Sequence, residues 1–252
     1  MRRDGKFFVL FGLLSALLIL FLTFPLLTLF YGVGVEKLLE TVQEKEVYES
    51  VWLTFRVSFY AVLFVLFTGI PLGYLIARYD FKGKSLLESL IDIPVMVPHT
   101  AAGIALLMAF NKGLFGLEFV DTTTGIMAAM MFLSAPFLIN GAKEGFRKVD
   151  VKYEHVARTL GASRLQLFFS VVLPNARNDI VNGALMMWSR GIGEFGAVVI
   201  IAYHPMVAPV LIYDRFTAYG LSYSAPVAAV MIAVSVMVFL SIRIWNNRVR
   251  RG

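Results

Sequence analysis

The chain has 252 residues, 58% of them hydrophobic and 16% charged, with a mean hydropathy of +0.75 and a net charge of +6. Soluble domains are roughly 45–50% apolar, so this composition excludes an ordinary water-soluble enzyme and indicates an integral membrane protein. The positive charge then reads as loop charge at a membrane rather than as a nucleic-acid surface, and the absence of cysteine removes disulfides, thiolate metal sites and a Cys nucleophile.

Six apolar runs approach or exceed the roughly 20 residues that cross a bilayer. They are Phe7 to Phe30, Val51 to Ala77, Ile91 to Phe110, Thr124 to Ala142, Ile180 to Ala202 and Ala225 to Trp245. The first is too long for a signal-peptide core and lacks a small-residue cleavage site, so it is expected to be a retained anchor. Gly69, Pro71 and Gly73 loosen the second, Pro94 and Pro98 open the third, and Pro136 interrupts the fourth. With no soluble domain visible, residues 1–252 read as one all-α transmembrane domain of six helices.

The connections divide by charge. The N-terminus (Arg2, Arg3, Lys6), the link after the second run, the loop 143–177 and the tail (Arg243, Arg248, Arg250, Arg251) hold seventeen Lys and Arg, against four on the other side. The positive-inside rule therefore predicts that both termini and the loop 143–177 are cytoplasmic in the cell membrane. On the outer side, Glu36 to Glu49 reads as an acidic amphipathic helix, either a solvated cap or part of a docking surface. Gly83-Lys84-Ser85 looks like the end of a phosphate loop, but Arg78 stands where that pattern needs Gly and no strand precedes it. It reads as a basic turn, so ATP hydrolysis by this chain is not expected.

Within the loop, Asp150 is a good N-cap, and Tyr153, Val156, Ala157 and Leu160 share one apolar stripe. Gly161 stops that helix and Ser163 caps a second, on which Leu165, Phe168, Phe169 and Val172 are expected on one face until Pro174 ends or bends it. A capped hairpin of this kind is more than a linker requires and suggests a docking element. It could also lie on lipid headgroups.

In the fifth run, Arg190 and Glu194 sit inside an apolar stretch, where a charge costs about 2.5–3.5 kcal/mol on the lenient insertion scales. Four apart, they are expected on one helix face, either as a packing ion pair or as part of a pathway lining. Gly191, Gly193 and Gly196 allow close helix approach or a bend there. The three histidines, His99, His155 and His204, are far apart in sequence and suggest no metal site.

Gly161, followed by Val171 and Leu173-Pro174, resembles the EAA-loop signature of ABC-transporter permeases. In that signature E-A-A is followed by three residues, Gly, nine residues, Ile, any residue and Leu-Pro. Here His155 stands at the Glu, with Glu154 one position earlier, Val156 at the first Ala and Ala157 at the second. Gly193-Glu194-Phe195-Gly196-Ala197 is similar to a segment of the molybdate, tungstate and sulfate permeases, as are Thr54 to Ser58, Pro94 to Gly103 and Ser134 to Phe137.

The resemblance implies the type I ABC importer permease fold, with six transmembrane helices and a cytoplasmic coupling-helix hairpin. It implies a homodimer importing a tetrahedral oxyanion, molybdate or tungstate before sulfate, without a cofactor. The partners would be an extracellular or periplasmic oxyanion-binding protein, two copies of a cytoplasmic ATPase and membrane lipid. The coupling residues would be Tyr153, Glu154, His155, Ala157, Arg158, Leu160, Gly161, Ala162 and Ser163, and the pathway candidates Thr100, Arg190 and Glu194. The competing reading is a stand-alone secondary transporter or channel, which would want titratable residues or broken helices in matched halves. An intramembrane enzyme lacks a catalytic constellation.

Overall fold

The computed structural model describes residues 4–249, with side chains from 7 to 242 and at 244; the basic side chains assigned above to the two termini lie outside that range. Among the described residues, four helices are long and apolar enough to cross a membrane: α1 (Asp4–Val33), α3 (Lys45–Arg78), α6 (Thr123–Lys148) and α12 (Leu221–Val249). Each contains a proline, at 25, 71, 136 and 226 respectively. Pro136 does not interrupt its helix as expected. In a membrane protein, neighbouring helices and hydroxyl side chains can re-satisfy the backbone groups that proline frees. A short helix, α2 (Val35–Gln43), separates α1 from α3.

The other two predicted spans are broken. α4 (Lys84–Met96) and α5 (His99–Phe110) meet at 113°. The cause is local: Val97 precedes Pro98, and clash with the proline ring drives it to an extended conformation, φ −76° and ψ 135°. The fifth run is helical in α9 (Leu173–Ile192), opens at residues 193–197 and resumes for one turn in α10 (Val198–Ile201). By length and composition the described residues thus offer four unbroken crossings, or five with the bent pair, where six are expected.

The chain divides into two compact units, residues 1–51 with 211–252, and residues 52–210. In the first, α12 packs on α1 and on α2. The single acidic helix expected over Glu36–Glu49 is broken at Glu44, which is extended (φ −64°, ψ 120°), so residues 35–43 form α2 and residues 45–49 open α3; Thr41 and Val47 are buried, Leu39 and Val42 exposed. Arg215, on α11 (Ala208–Tyr219), lies 2.7 Å from both Glu44 and Glu46. Burial pulls its guanidinium pKa down, but hydrogen bonds to the two carboxylates outweigh that and leave it raised.

In the second unit α6 is the central post. A Cβ at Gly141 would stand 2.8 Å from Gly183 Cα, and one at Gly145 3.0 Å from Ala176 O, so α9 crosses α6 backbone to backbone. On the flank facing α3, a Cβ at Gly73 would lie 3.1 Å from Lys143 N. Gly141-Ala-Lys-Glu-Gly145 is a small-xxx-small seam, the device by which helices associate where lipid is as apolar as leucine and burial alone does not drive contact. α4 is tied to the same post by Glu88, which takes Lys143 at 3.3 Å and Arg147 at 3.0 Å.

Because the obstacle at Gly141 is backbone, a side chain there has nowhere to go. Gly141→Leu should abolish most of the monodisperse protein recovered in detergent. Gly12→Leu, where an added Cβ meets nothing within 4 Å, should leave recovery unchanged in the same size-exclusion measurement.

Candidate functional site

Two regions gather the residues that the sequence singles out. The first is the polar hairpin. Asp150 caps α7 (Val151–Thr159), its carboxylate accepting from Lys152 N at 2.9 Å. The helix closes with both bonds of a Schellman motif, Ala162 N to Ala157 O and Gly161 N to Arg158 O, each 3.0 Å, with Gly161 at φ +86°. Ser163 and Gln166 then form a reciprocal capping box that starts α8 (Arg164–Leu167).

The next segment departs from expectation. Phe168–Val172 is a π turn, and the helix runs on through Pro174 into α9. The extra residue rotates the faces, so Leu165 and Phe169 are exposed while Leu167 and Val172 are buried. They do not form the single stripe that regular spacing suggests.

The α7 stripe does form, and none of the described residues covers it. Tyr153, Val156 and Leu160 are exposed and Ala157 is half-buried. His155, Arg158, Gly161 and Ser163 are exposed too, with Ala162 half-buried. Glu154 alone turns inward, 4% exposed, with Oε1 2.7 Å from Arg78 Nε at the end of α3. This is an ion pair at contact distance whose N–H is not aligned for a regular hydrogen bond. Arg78 Nη2 also donates to Val149 O at 2.8 Å, so one side chain holds both the approach to α7 and its first turn. Exposed Arg158 reaches the other Glu154 oxygen only at 3.8 Å.

Beneath the hairpin, Tyr74 meets Phe146 and Phe168 edge-on, with centroids 5.4 and 5.1 Å away, over a core of Phe146, Leu167, Val172 and Ala176. The hairpin is therefore seated rigidly on α3 and α6 while its apolar stripe faces outward. The Gly83 turn carries no phosphate-loop structure: Gly83, at φ +91°, precedes α4, and Lys84 donates to Asp80 at 2.8 Å. That hydrogen bond holds the exposed Asp80 carboxyl below its ordinary pKa.

The second region is where the broken helices meet. Arg190 lies in the last turn of α9, Glu194 in the loop beyond it and Thr100 in the first turn of α5. Arg190 and Glu194 do not share a helix face, because α9 ends at Ile192, and among the described residues no ion pair joins them directly. His99 stands between them, Nδ1 2.8 Å from Glu194 Oε2 and Nε2 3.1 Å from Arg190 Nη2. Gly196 permits this, since a Cβ there would fall 2.7 Å from His99 Cβ. Gly103, tight against Ala197 and Ile200, lets α5 lie on α10.

Sequence reasoning passes over His99 because its partners are 91 and 95 positions away. The available signal was a histidine directly after the Pro98 break. Among the described residues no group of three His, Asp or Glu could hold a metal. A cleft of about 540 Å³ lies beside α4, α6 and α9, lined by Asp92, Glu144, Asp179, Asn140 and Asn182 among others. Its lining is otherwise mostly apolar, and its carboxylates are already partnered, Asp92 by Asn140, Glu144 by Arg147 and Asp179 by Lys148.

Residues 69–251 match the family of binding-protein-dependent transport system inner membrane components. The chain belongs to this family. It is 42% identical to the molybdate/tungstate transport system permease protein WtpB of Pyrococcus abyssi, over 93% of each chain, and 42% identical to that of Pyrococcus furiosus, over 96% of each. It is 30% identical to the sulfate transport system permease protein CysT of Salmonella typhimurium, over 84% of this chain and 81% of that one. A bacterial ABC transporter that imports alginate superposes with a TM-score of 0.75 over 99% of this chain and 98% of that one, at 17% identity. The fold is thus one that importer permeases adopt, and the chain is a multi-pass permease component.

The Arg78–Glu154 pair can be tested by itself. Removing one member leaves a buried charge alone, which costs about 3–5 kcal/mol. Glu154→Ala should lower the unfolding temperature in detergent sharply. The swap Arg78→Glu with Glu154→Arg should recover part of the loss but not the Val149 bond.

Proposed function

We propose that this chain is the membrane-spanning subunit of an ATP-driven importer of tetrahedral oxyanions, molybdate or tungstate ahead of sulfate. The observation that carries this reading is the 42% identity, over nearly the whole of both chains, to proteins named as molybdate/tungstate permeases. In this reading residues 1–252 form one permease domain that works as a homodimer, with both termini in the cytoplasm. Six crossings result when α4 with α5, and α9 with α10, each traverse the bilayer as one bent element. An extracellular binding protein delivers the anion, and two copies of a cytoplasmic ATPase carry out hydrolysis.

The hairpin is the docking element. Its outward stripe of Tyr153, Val156 and Leu160 is apolar, exposed and rigidly seated, as a helix that must transmit force requires. Both of its ends are fixed by local caps, so it keeps its shape without the partner. Arg190, exposed at the helix break, supplies a cation to the pathway, and exposed Thr100, the residue after His99, is the second lining candidate. Two broken helices would also suit a stand-alone transporter, but membership of a binding-protein-dependent family favours the importer.

The deciding experiment copurifies the chain with its ATPase, reconstitutes both in liposomes and adds binding protein loaded with molybdate, tungstate or sulfate. Hydrolysis and uptake should rise with the molybdate- or tungstate-loaded form. A preparation with no associated ATPase would overturn the reading.

Gly161 provides a sharper test of the hairpin. Its φ of +86° costs a side chain roughly 1–2 kcal/mol, although an added Cβ would meet nothing within 4 Å. Gly161→Val should therefore cut uptake per ATP hydrolysed several-fold, or weaken ATPase association. Gly161→Asn, which tolerates the left-handed region, should keep most of both.

A further inference from the structure

Arginine carries five N–H donors and no acceptor. Among the described residues Arg190 uses one of them, on His99 Nε2 at 3.1 Å. Since arginine can only donate, Nε2 must accept, and the single proton of the neutral ring sits on Nδ1. From there it is donated to Glu194 Oε2 at 2.8 Å. Glu194 is 2% exposed and its other oxygen accepts from Ala197 N at 2.9 Å, so its position is set by backbone. A chain of hydrogen bonds thus runs from buried loop backbone through Glu194 and His99 to an exposed guanidinium.

The charged groups facing the ring are Arg190, from α9, and Glu194, from the 193–197 loop. α5 contributes no other titratable side chain and α10 contributes none. α6 packs on both and carries its charges in its last turns, where Lys143 and Arg147 pair with Glu88, Glu144 with Arg147, and Lys148 with Asp179.

We propose, on the reading that this chain carries oxyanions, that His99 and Glu194 are the positioning residues that present Arg190 to the anion. His99 holds the guanidinium by one N–H, and Glu194, itself fixed by backbone, holds the ring. The remaining N–H groups of Arg190 are then aimed together at one place, where a planar donor fork suits an oxyanion.

The test uses the reconstituted complex of permease, ATPase and molybdate-loaded binding protein, with His99→Leu and His99→Gln. Leucine removes both hydrogen bonds. The glutamine amide keeps a donor for Glu194 and an acceptor for Arg190. Molybdate uptake per ATP by His99→Leu should fall about tenfold, as expected for the loss of a charge-assisted hydrogen bond. His99→Gln, which restores both hydrogen bonds without the ring, should retain most of it.

Uptake by both variants equal to the unaltered protein would overturn the proposal. So would equal loss in both, with or without loss of assembly, because the ring would then serve packing against Gly196. No oxyanion uptake by the unaltered protein would instead overturn the importer reading on which the proposal rests.

Discussion

Helices in a bilayer gain little by hiding apolar surface from one another, so what holds them together is close contact. In residues 52–210 that contact is made on α6, at Gly141 and Gly145 against α9 and along the flank facing Gly73 of α3. Everything of functional interest in that unit hangs from this post. At one end the hairpin rests on Phe146 and is clamped by Arg78. At the other the loop after α9 reaches α5, because short helices with glycines at the crossing points can approach within backbone contact. A protein with bulky residues at those crossings would have neither feature in register.

The two polar regions are built on different rules. The hairpin is held by neighbours in sequence, each cap acting within a few residues, and by one buried ion pair to a distant helix. The helix break begins with local rules, Pro98 and the Glu194 carboxylate bonded to Ala197 N, but the junction is closed by long-range contacts: a glycine that admits the His99 Cβ and a ring that joins two segments. Such a junction carries charge at modest cost because each group has a partner, and only the guanidinium is left to face outward.

This difference explains what could be read from the sequence. Asp150, Gly161 and Ser163 are legible because N-caps and left-handed C-caps depend on the residue itself. The Pro98 break obeys the same local logic. The long helices are legible from their apolar length, though Pro136 misleads, since α6 runs on through it. The outcome for Leu165 and Phe169 was not legible, because a π turn shifts the register without an obvious local signal. The bridging of Arg190 and Glu194 by His99 was hidden for another reason. Spacing of four suggests one helix face, and only the structure reveals that the helix has already ended. Inward-facing Glu154 belongs with these: nothing near it in sequence names Arg78 as its partner.

The π turn at Phe168–Val172 inserts one residue between the hairpin and α9, and each residue of an α-helix advances about 100°. A π turn closes its bonds one residue further along than an α-helix, so it absorbs that extra residue within one wide turn and leaves α7 in the orientation about α9 that a continuous helix would give. Deleting one residue there relaxes the turn to ordinary α-helix with Glu154 still facing Arg78. The same deletion in the regular helix that follows would turn the whole hairpin by more than a quarter of a revolution. The π turn is thus the slack in the linkage, the one place where the chain can change length without re-aiming the hairpin.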